Sequence, residues 1–340
     1  MSDFHLLVTI TFVIVLAFTF DFINGFHDTA NAIATAISTK ALPPRTAIIL
    51  AAVMNFVGAL TFTGVAKTIG GSIADPLKLN NGMTIVTAAL LAAIAWNLIT
   101  WHYGLPSSSS HALIGSLTGA VITAAGFSAV NFRGFLDIIK ALVFSPLVAF
   151  VAGFVIMTLI RLIFRRATPY ALNRRFRFLQ IFTAAFQSFS HGTNDAQKTM
   201  GIITFALVAG GFQSTLHVPL WVKILAALAM AAGTSVGGWR IIKTVGTQII
   251  KVEPGSGFSA DLSSAMVILG ATLLKLPVST THVISSSIMG VGAARRFSAV
   301  KWGTSRKIVL AWVVTLPVTA FLAGLSYTLY RGLSILVGAM

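Results

Sequence analysis

The sequence predicts an all-α polytopic membrane protein made of two inverted-topology repeats, with about ten transmembrane helices plus two re-entrant helical hairpins. Three observations support this fold class. The 340 residues are 56% hydrophobic and only 9% charged, whereas a soluble domain carries about 25% charged residues. Several apolar runs have the length of a bilayer crossing, and the polar motifs of the first half return in the second half.

Six apolar runs reach or approach the roughly 20 residues that a helix needs to cross a bilayer. They are residues 4–22, 47–65, 83–101, 142–160, 220–232 and 308–325. The chain starts without the basic segment of a signal peptide, so we expect the first run to be retained. The net charge of +16 includes two acid-free basic blocks, 161–177 and 295–307, which are typical of cytoplasmic loops rather than of a nucleic-acid site. The absence of cysteine excludes disulfides and cysteine-ligated metals.

The sequence is duplicated, and its polar motifs lie at matching places in the two halves. Residues 25–31 (GFHDTAN) return 167 residues later as 192–198 (GTNDAQK), and residues 106–111 (PSSSSH) return 171 residues later as 277–282 (PVSTTH). Polar interruptions at corresponding places in two halves are typical of secondary transporters. The predicted divisions are a first membrane repeat, a basic cytoplasmic linker and a second membrane repeat, at 1–165, 166–178 and 179–340.

Loop charges predict that corresponding loops lie on opposite sides of the membrane. Loop 127–140 has a net charge of +1, whereas its counterpart, 295–307, carries five basic residues and no acid. Opposite sides require an odd number of crossings per half, yet each half offers six helical segments. One segment per half should therefore enter and leave from the same side, and the polar segments around Asp28 and Asp195 are the best candidates. Both termini are then expected outside the cell.

The repeated hydroxyl runs predict an anion site at two helix starts. Pro106 and Pro277 suit the first turn of a helix, and serine and threonine cap its free N–H groups. Such ends attract anions, so two of them meeting near the membrane midplane would surround a small tetrahedral oxyanion. The hydroxyl residues expected to bind it are Ser107, Ser108, Ser109, Ser110, Ser279, Thr280 and Thr281. His111 and His282, which end the runs, are expected to support the hydroxyls or to contact substrate or a proton.

Asp28 and Asp195 lie in the repeated motifs within apolar sequence, where ionisable residues usually serve function. At low dielectric they would repel an anion, so cations or protons must arrive with it, and we infer a cation-coupled symporter. The residues expected to bind or relay the coupling H⁺ or Na⁺ are Asp28, Asn31, Asn194, Asp195, Asn24, His27 and His191. Gln197 offers an oxygen to a cation or a contact to the anion, and Lys198 offers the anion a positive charge. Asp21, on the approach to the first motif, is a further candidate.

No catalytic residue, cofactor or structural metal is expected. The cation expected at Asp28 and Asp195, H⁺ or Na⁺, is a co-transported ion and not a structural one.

These motifs resemble the duplicated signature of the inorganic phosphate transporter family, of the low-affinity PiT type. The resemblance rests on residues 25–32, 192–198, 106–111 and 277–282 and extends over nearly the whole chain. It implies inverted repeats, re-entrant hairpins, and phosphate held between hydroxyl-rich helix ends with cations nearby. The phosphate contacts that it implies are Ser108, Ser109, Ser279 and Thr280. The cation-binding or relay residues that it implies are Asp28, Asn31, Asn194 and Asp195.

His27 departs from the family pattern, because sodium-coupled members usually have asparagine before the first aspartate. The His-Asp form resembles bacterial members that use protons and accept metal–phosphate complexes, so H⁺ coupling is favoured and Na⁺ coupling is the alternative. The long central domain of larger relatives is reduced here to 161–177. We expect a multi-pass protein of the bacterial inner membrane that imports inorganic phosphate, free or bound to a metal. Its surroundings are the lipid bilayer, nucleic acid is not a partner, and a homodimer is left open.

Three other functions fit part of the pattern. A carrier of sulfate or another oxyanion could use the same scaffold, but the carboxylates favour protonated phosphate, since sulfate stays fully deprotonated. An intramembrane enzyme could use serine, histidine and aspartate, but the sequence has no nucleophile elbow or HExxH helix. A passive channel could use the serines but would not concentrate its substrate. The expected class is therefore a transporter and not an enzyme.

Overall fold

The structure is a computed structural model that describes residues 3–79 and 81–336. These residues form twelve α-helices and no β-strand, so the predicted all-α class is confirmed. The helices are α1 (Asp3–Ser38), α2 (Pro44–Thr61), α3 (Gly64–Ser72), α4 (Gly82–His102), α5 (Ser109–Ala125), α6 (Phe132–Ile163), α7 (Pro169–Ala209), α8 (Leu220–Val236), α9 (Trp239–Lys243), α10 (Pro254–Leu273), α11 (Thr280–Arg295) and α12 (Trp302–Leu336). A π-helical turn, Thr244–Gln248, continues α9.

Six helices of the described chain are long and apolar enough to cross a membrane, namely α1, α2, α4, α6, α10 and α12. Together α8 and the segment after it also pass this test, but they are bent by 65°. In contrast, α5 and α11 are short, and their first residues, 109–121 and 280–292, are buried by other helices. The lipid-facing helices therefore enclose two short helices that carry the hydroxyl motifs.

The two halves contain the same series of six helices and exchange packing partners. α1 packs against α8, while its counterpart α7 packs against α2. In the same way α5 packs against α12, while its counterpart α11 packs against α6. Each of the two apolar cores accordingly contains residues of both halves. The duplicated units are interlocked, and each covers apolar surface of the other.

Glycines allow the exchanged helices to touch backbone to backbone. A Cβ atom on Gly233 of α8 would lie 1.9 Å from the carbonyl oxygen of Phe22 in α1. At the equivalent crossing, a Cβ atom on Gly58 of α2 would lie 2.2 Å from the carbonyl oxygen of Phe189 in α7. Small residues permit this close approach between membrane helices, where dispersion contacts replace the hydrophobic effect as the driving force.

The chain turns at the hydroxyl motifs and not at the acidic motifs. α1 and α7 are continuous through Asp28 and Asp195, so the prediction that re-entrant segments centre on these residues is wrong. The turns lie instead at 103–108 and 274–279, between the packed pairs α4–α5 and α10–α11. Proline disfavours a helical conformation in the residue before it, which ends helices ahead of these motifs. The acidic motifs need no break, because their side chains find partners on neighbouring helices.

The segment predicted as a linker, 166–178, is mostly helical. α7 begins at Pro169, directly after its cap residue Thr168, and so includes residues 169–178. The exposed arginines of this region are Arg161, Arg165, Arg166, Arg174, Arg175 and Arg177. They give the start of α7 a strongly basic surface.

Candidate substrate site

The hydroxyl motifs cap the starts of α5 and α11. The Ser108 hydroxyl accepts a hydrogen bond from the backbone N–H of His111 at 3.1 Å. At the matching place, the Ser279 hydroxyl accepts from the N–H of His282 at 3.2 Å. Side chains that accept from the first-turn amides in this way are N-caps, so both motifs begin their helices as the sequence predicts. Pro106 and Pro277, however, lie two residues before the caps and not in the first helical turn where they were expected.

The two helix starts meet inside the protein. The Ser110 hydroxyl of α5 donates to the carbonyl of Val278, just before α11, at 2.8 Å. The rings of His111 and His282 lie 4.4 Å apart, and Trp312 stacks on His282 with a centroid distance of 3.9 Å. The positive ends of two helix dipoles therefore point into one buried region, which favours negative charge there.

Asp28 joins the first acidic motif to both helix starts. Its carboxylate accepts from Ser109 at 2.5 Å and from Thr281 at 2.9 Å. His27 lies 2.8 Å from the same carboxylate through Nδ1. Asp28 is 1% exposed, so its charge depends on these donors rather than on water.

Asp195 occupies the equivalent place in the second half. The Thr280 hydroxyl donates to it at 3.2 Å, and Nε2 of His191 lies 3.3 Å from it. Lys198 forms an ion pair with Asp195 at 2.8 Å and donates to the Ser109 hydroxyl at 2.9 Å. One continuous network therefore joins all four repeated motifs through Lys198.

The other predicted residues differ in how close they lie to this network. Asn31 donates to the Thr281 hydroxyl at 2.9 Å and belongs to it. Ser107 lies 3.4 Å from the Thr315 hydroxyl, on the side of α12. Asn194 instead braces the second turn, since it bonds to Thr272 and to backbone atoms of 276 and 278.

Two predicted residues contact neither helix start. Gln197 accepts from the backbone N–H of Ala66 at 3.1 Å and donates to the carbonyl of Thr193, so it ties α7 to α3. Asn24 is fully buried, and its amide has no hydrogen-bond partner in the described structure. The structure therefore places the Gln197 amide away from the helix starts, where it was expected to contact the anion or its coupling cation.

Sequence reasoning missed two threonines that hold the acidic motifs. Thr100 of α4 lies 3.1 Å from Nε2 of His27, and Thr272 of α10 accepts from the Asn194 amide at 3.0 Å. His27 and Asn194 are equivalent positions, and the two threonines lie near the ends of equivalent helices. Aligning the two halves could have found them as matching polar residues in apolar helices.

Comparison with known proteins identifies the family. The model of the "Phosphate transporter family" matches residues 24–172 and 165–323. A Bacillus subtilis (strain 168) protein named "Probable low-affinity inorganic phosphate transporter" is 59% identical, over 96% of this chain and 98% of its own. A Rhizobium meliloti (strain 1021) protein of the same name is 47% identical, over 92% of this chain and 94% of its own.

A solved structure named "The sodium-dependent phosphate transporter" shares the fold. It matches with a TM-score of 0.88 and 26% identity, over 95% of this chain and 99% of its own. These relatives are named as transporters and not as enzymes, which confirms the predicted class. The duplicated motifs, the helical fold and these matches together show that the chain is a multi-pass membrane protein belonging to the phosphate transporter family.

Proposed function

We propose that this protein imports inorganic phosphate by symport with protons. The observation that carries the proposal is the buried network in which two helix starts, two carboxylates and one ammonium group meet. Dihydrogen phosphate both donates and accepts hydrogen bonds. It therefore suits a site where Ser109 and Thr280 can donate to its oxygens while Asp28 and Asp195 accept from its hydroxyl groups.

Charge balance supports coupling to a cation. With neutral histidines, the two aspartates and Lys198 give the network a net charge of −1, and dihydrogen phosphate would make it −2. Repulsion at low dielectric is strong enough that phosphate binds well only when positive charge arrives with it. His27 and His191 each contact one aspartate, and an imidazole ring is a side chain that can accept and pass on a proton, which favours H⁺ as the coupling ion.

Two alternatives concern the coupling ion and the transported species. The structural neighbour is named as sodium-dependent, which favours Na⁺ as the alternative coupling ion. A metal–phosphate complex would bring the compensating charge with the substrate itself. Both alternatives keep the same binding residues and the same requirement for positive charge.

The proposed topology has two re-entrant hairpins, which we assign to α4–α5 and α10–α11. Because α3 and α9 are too short to cross alone, three crossings then remain in each half of the described chain. This is the odd number that inversion requires, but the total is smaller than the ten crossings expected from the sequence. The exchanged helix pairs and the opposite loop charges support an inverted relation between 1–165 and 179–340. Segment 166–178 and loop 295–307 then lie in the cytoplasm, with both termini outside. A cavity of about 620 Å³ lined by Arg161, Lys251, Arg295 and Arg296 would receive phosphate on that side.

Removing two equivalent hydroxyls tests the phosphate site. Ser109→Ala combined with Thr280→Val should raise the half-saturation concentration for phosphate by at least about a hundredfold, since each hydrogen bond to a charged group contributes about 1.5–3 kcal/mol and about 1.4 kcal/mol is a factor of ten. Ser116→Ala is the matched control, because that hydroxyl bonds only within α5. Radiolabelled phosphate uptake into proteoliposomes measures this, and unchanged uptake in the double variant would show that phosphate binds elsewhere.

A sulfate or general oxyanion carrier is the second candidate function. Asp28 and Asp195 disfavour sulfate, which has no hydroxyl group to donate to them. Unlabelled arsenate, which keeps hydroxyl groups as phosphate does, should inhibit phosphate uptake, whereas the same concentration of sulfate should not. If sulfate inhibits phosphate uptake as strongly as arsenate does, a general oxyanion carrier is favoured.

A further inference from the structure

A second group of buried polar atoms lies outside the phosphate network. Both carboxylate oxygens of Asp21 lack a hydrogen-bond partner in the described structure, although the residue is 0% exposed. Buried polar groups are almost always hydrogen-bonded, so an unpaired carboxylate inside a membrane protein indicates that a ligand belongs there.

The side chains beside Asp21 also have unused polar atoms. Asn24, one turn further along α1, and Thr199 of α7 lie next to the carboxylate, with Asp195 and Lys198 within electrostatic range. Within the described residues, the Asn24 amide, the Thr199 hydroxyl and one oxygen of Asp195 form no hydrogen bond of normal length and angle. Two helices thus bring several oxygens to one place, and the donors beside Asp21, the Asn24 amide and the Thr199 hydroxyl, reach it only loosely.

Among the residues that the structure describes, no side-chain cation forms an ion pair with Asp21. Lys198, the nearest, is already paired with Asp195 and bonded to Ser109. Among the other helices packed on α1, α4 has no charged residue in 82–101, α8 has only Lys223, and the basic residues of α9, Arg240 and Lys243, are exposed. A buried carboxylate without a partner is costly, so positive charge must come from solution.

We propose that Asp21, Asn24 and Thr199 form a separate site for the coupling cation. A carboxylate with amide and hydroxyl oxygens suits a hard monovalent cation, either a proton on the carboxylate or Na⁺ among the oxygens. This inference rests on the proposed symport and gives it a charge carrier distinct from Asp28. Because the site lies between α1 and α7, a bound cation would contact both helices that carry the acidic motifs.

Neutralising Asp21 should separate accumulation from exchange. Asparagine gives the site the charge that it has when the cation is bound, so Asp21→Asn should still exchange phosphate across the membrane in counterflow. The same variant should lose most gradient-driven accumulation, since no cation is carried. Asp137→Asn, which removes an exposed acid paired with Lys140, is the control and should keep both activities.

The proteoliposome experiment imposes a proton gradient in one arm and a sodium gradient in the other. Asp21→Asn should lose accumulation in whichever arm drives the wild type, which also identifies the cation. If Asp21→Asn accumulates phosphate as well as the wild type does, the proposed cation site is overturned. Loss of both accumulation and counterflow in a folded Asp21→Asn would equally overturn it, because the residue would then serve phosphate binding itself.

Thr199→Val provides a test that keeps the carboxylate. It should raise the half-saturation concentration of the driving cation several-fold and leave that of phosphate unchanged at saturating cation. No change in the cation dependence would contradict the site. If the wild type itself accumulates no phosphate under any gradient, the proposed symport fails instead, so the two failures are distinguishable.

Discussion

At the scale of single residues, Lys198 connects the two halves of the site. Its ammonium group is fully buried, pairs with Asp195 and donates to Ser109, which in turn donates to Asp28. Removing one partner of a buried ion pair leaves the other charge uncompensated, which is more harmful than removing both. Lys198 therefore contributes both to folding and to the charge that phosphate meets.

Lys198→Met should destabilise the protein by about 3–5 kcal/mol, because Asp195 would remain buried with its charge unpaired. Thermal unfolding of the purified protein in detergent measures the loss. Adding Asp195→Asn should recover part of it, since the unpaired charge is then removed as well. If Lys198→Met is as stable as the wild type, the ion pair between Lys198 and Asp195 is contradicted.

The site shows how far sequence reasoning reaches at single residues. Asp195 and Lys198 are three apart and share a helix face, whereas Gln197, two after Asp195, points toward α3. In a continuous helix, residues three apart share a face and residues two apart do not, which explains why Gln197 points away from Asp195 and Lys198. The sequence analysis expected a break in the helix at this motif, and a non-helical segment would have allowed all three side chains to converge.

At the scale of secondary-structure elements, close helix crossings fix the position of the acidic motifs. Gly25 of α1 and Gly192 of α7, each three residues before a motif aspartate, touch backbone atoms of α8 and α2. The crossings hold Asp28 and Asp195 at equivalent positions in the two halves. Duplication of the motifs was readable in the sequence, but the exchange of helix partners was not. Apolar helices of similar composition give no signal about which one packs against which.

Gly233→Ala tests one of these crossings. The new methyl group would lie 1.9 Å from the Phe22 carbonyl oxygen, so α8 must move away from α1 at a cost of about 1–3 kcal/mol. Gly270→Ala is the control, because nothing lies within 4 Å of a Cβ atom there and alanine favours a helix. Equal thermal stability of the two variants would contradict the close crossing.

At the scale of the whole molecule, the proposed inversion gives the central site two equivalent approaches. Hairpins α4–α5 and α10–α11 reach it from opposite sides, so small movements of one hairpin against the other can expose it alternately. The loop charges predicted this arrangement from the sequence, since equivalent loops differ in basic content. The turns of the hairpins were misplaced because polarity alone does not separate a turn from a buried polar helix.

Single cysteines test the inversion, since the chain has none of its own. Ser128 and Ser298 are exposed and occupy equivalent loops. A membrane-impermeant maleimide added to intact cells should label Ser128→Cys, whereas Ser298→Cys should be labelled only after the membrane is opened. Labelling of both variants from the same side would exclude inverted repeats.

The most direct test of cation-coupled phosphate transport is uptake into proteoliposomes under a proton gradient, a sodium gradient or no gradient. We expect phosphate to accumulate above equilibrium only when a cation gradient is present, and Asp28→Asn to abolish this accumulation. Equal phosphate uptake with every gradient dissipated and with Asp28 neutralised would contradict the account.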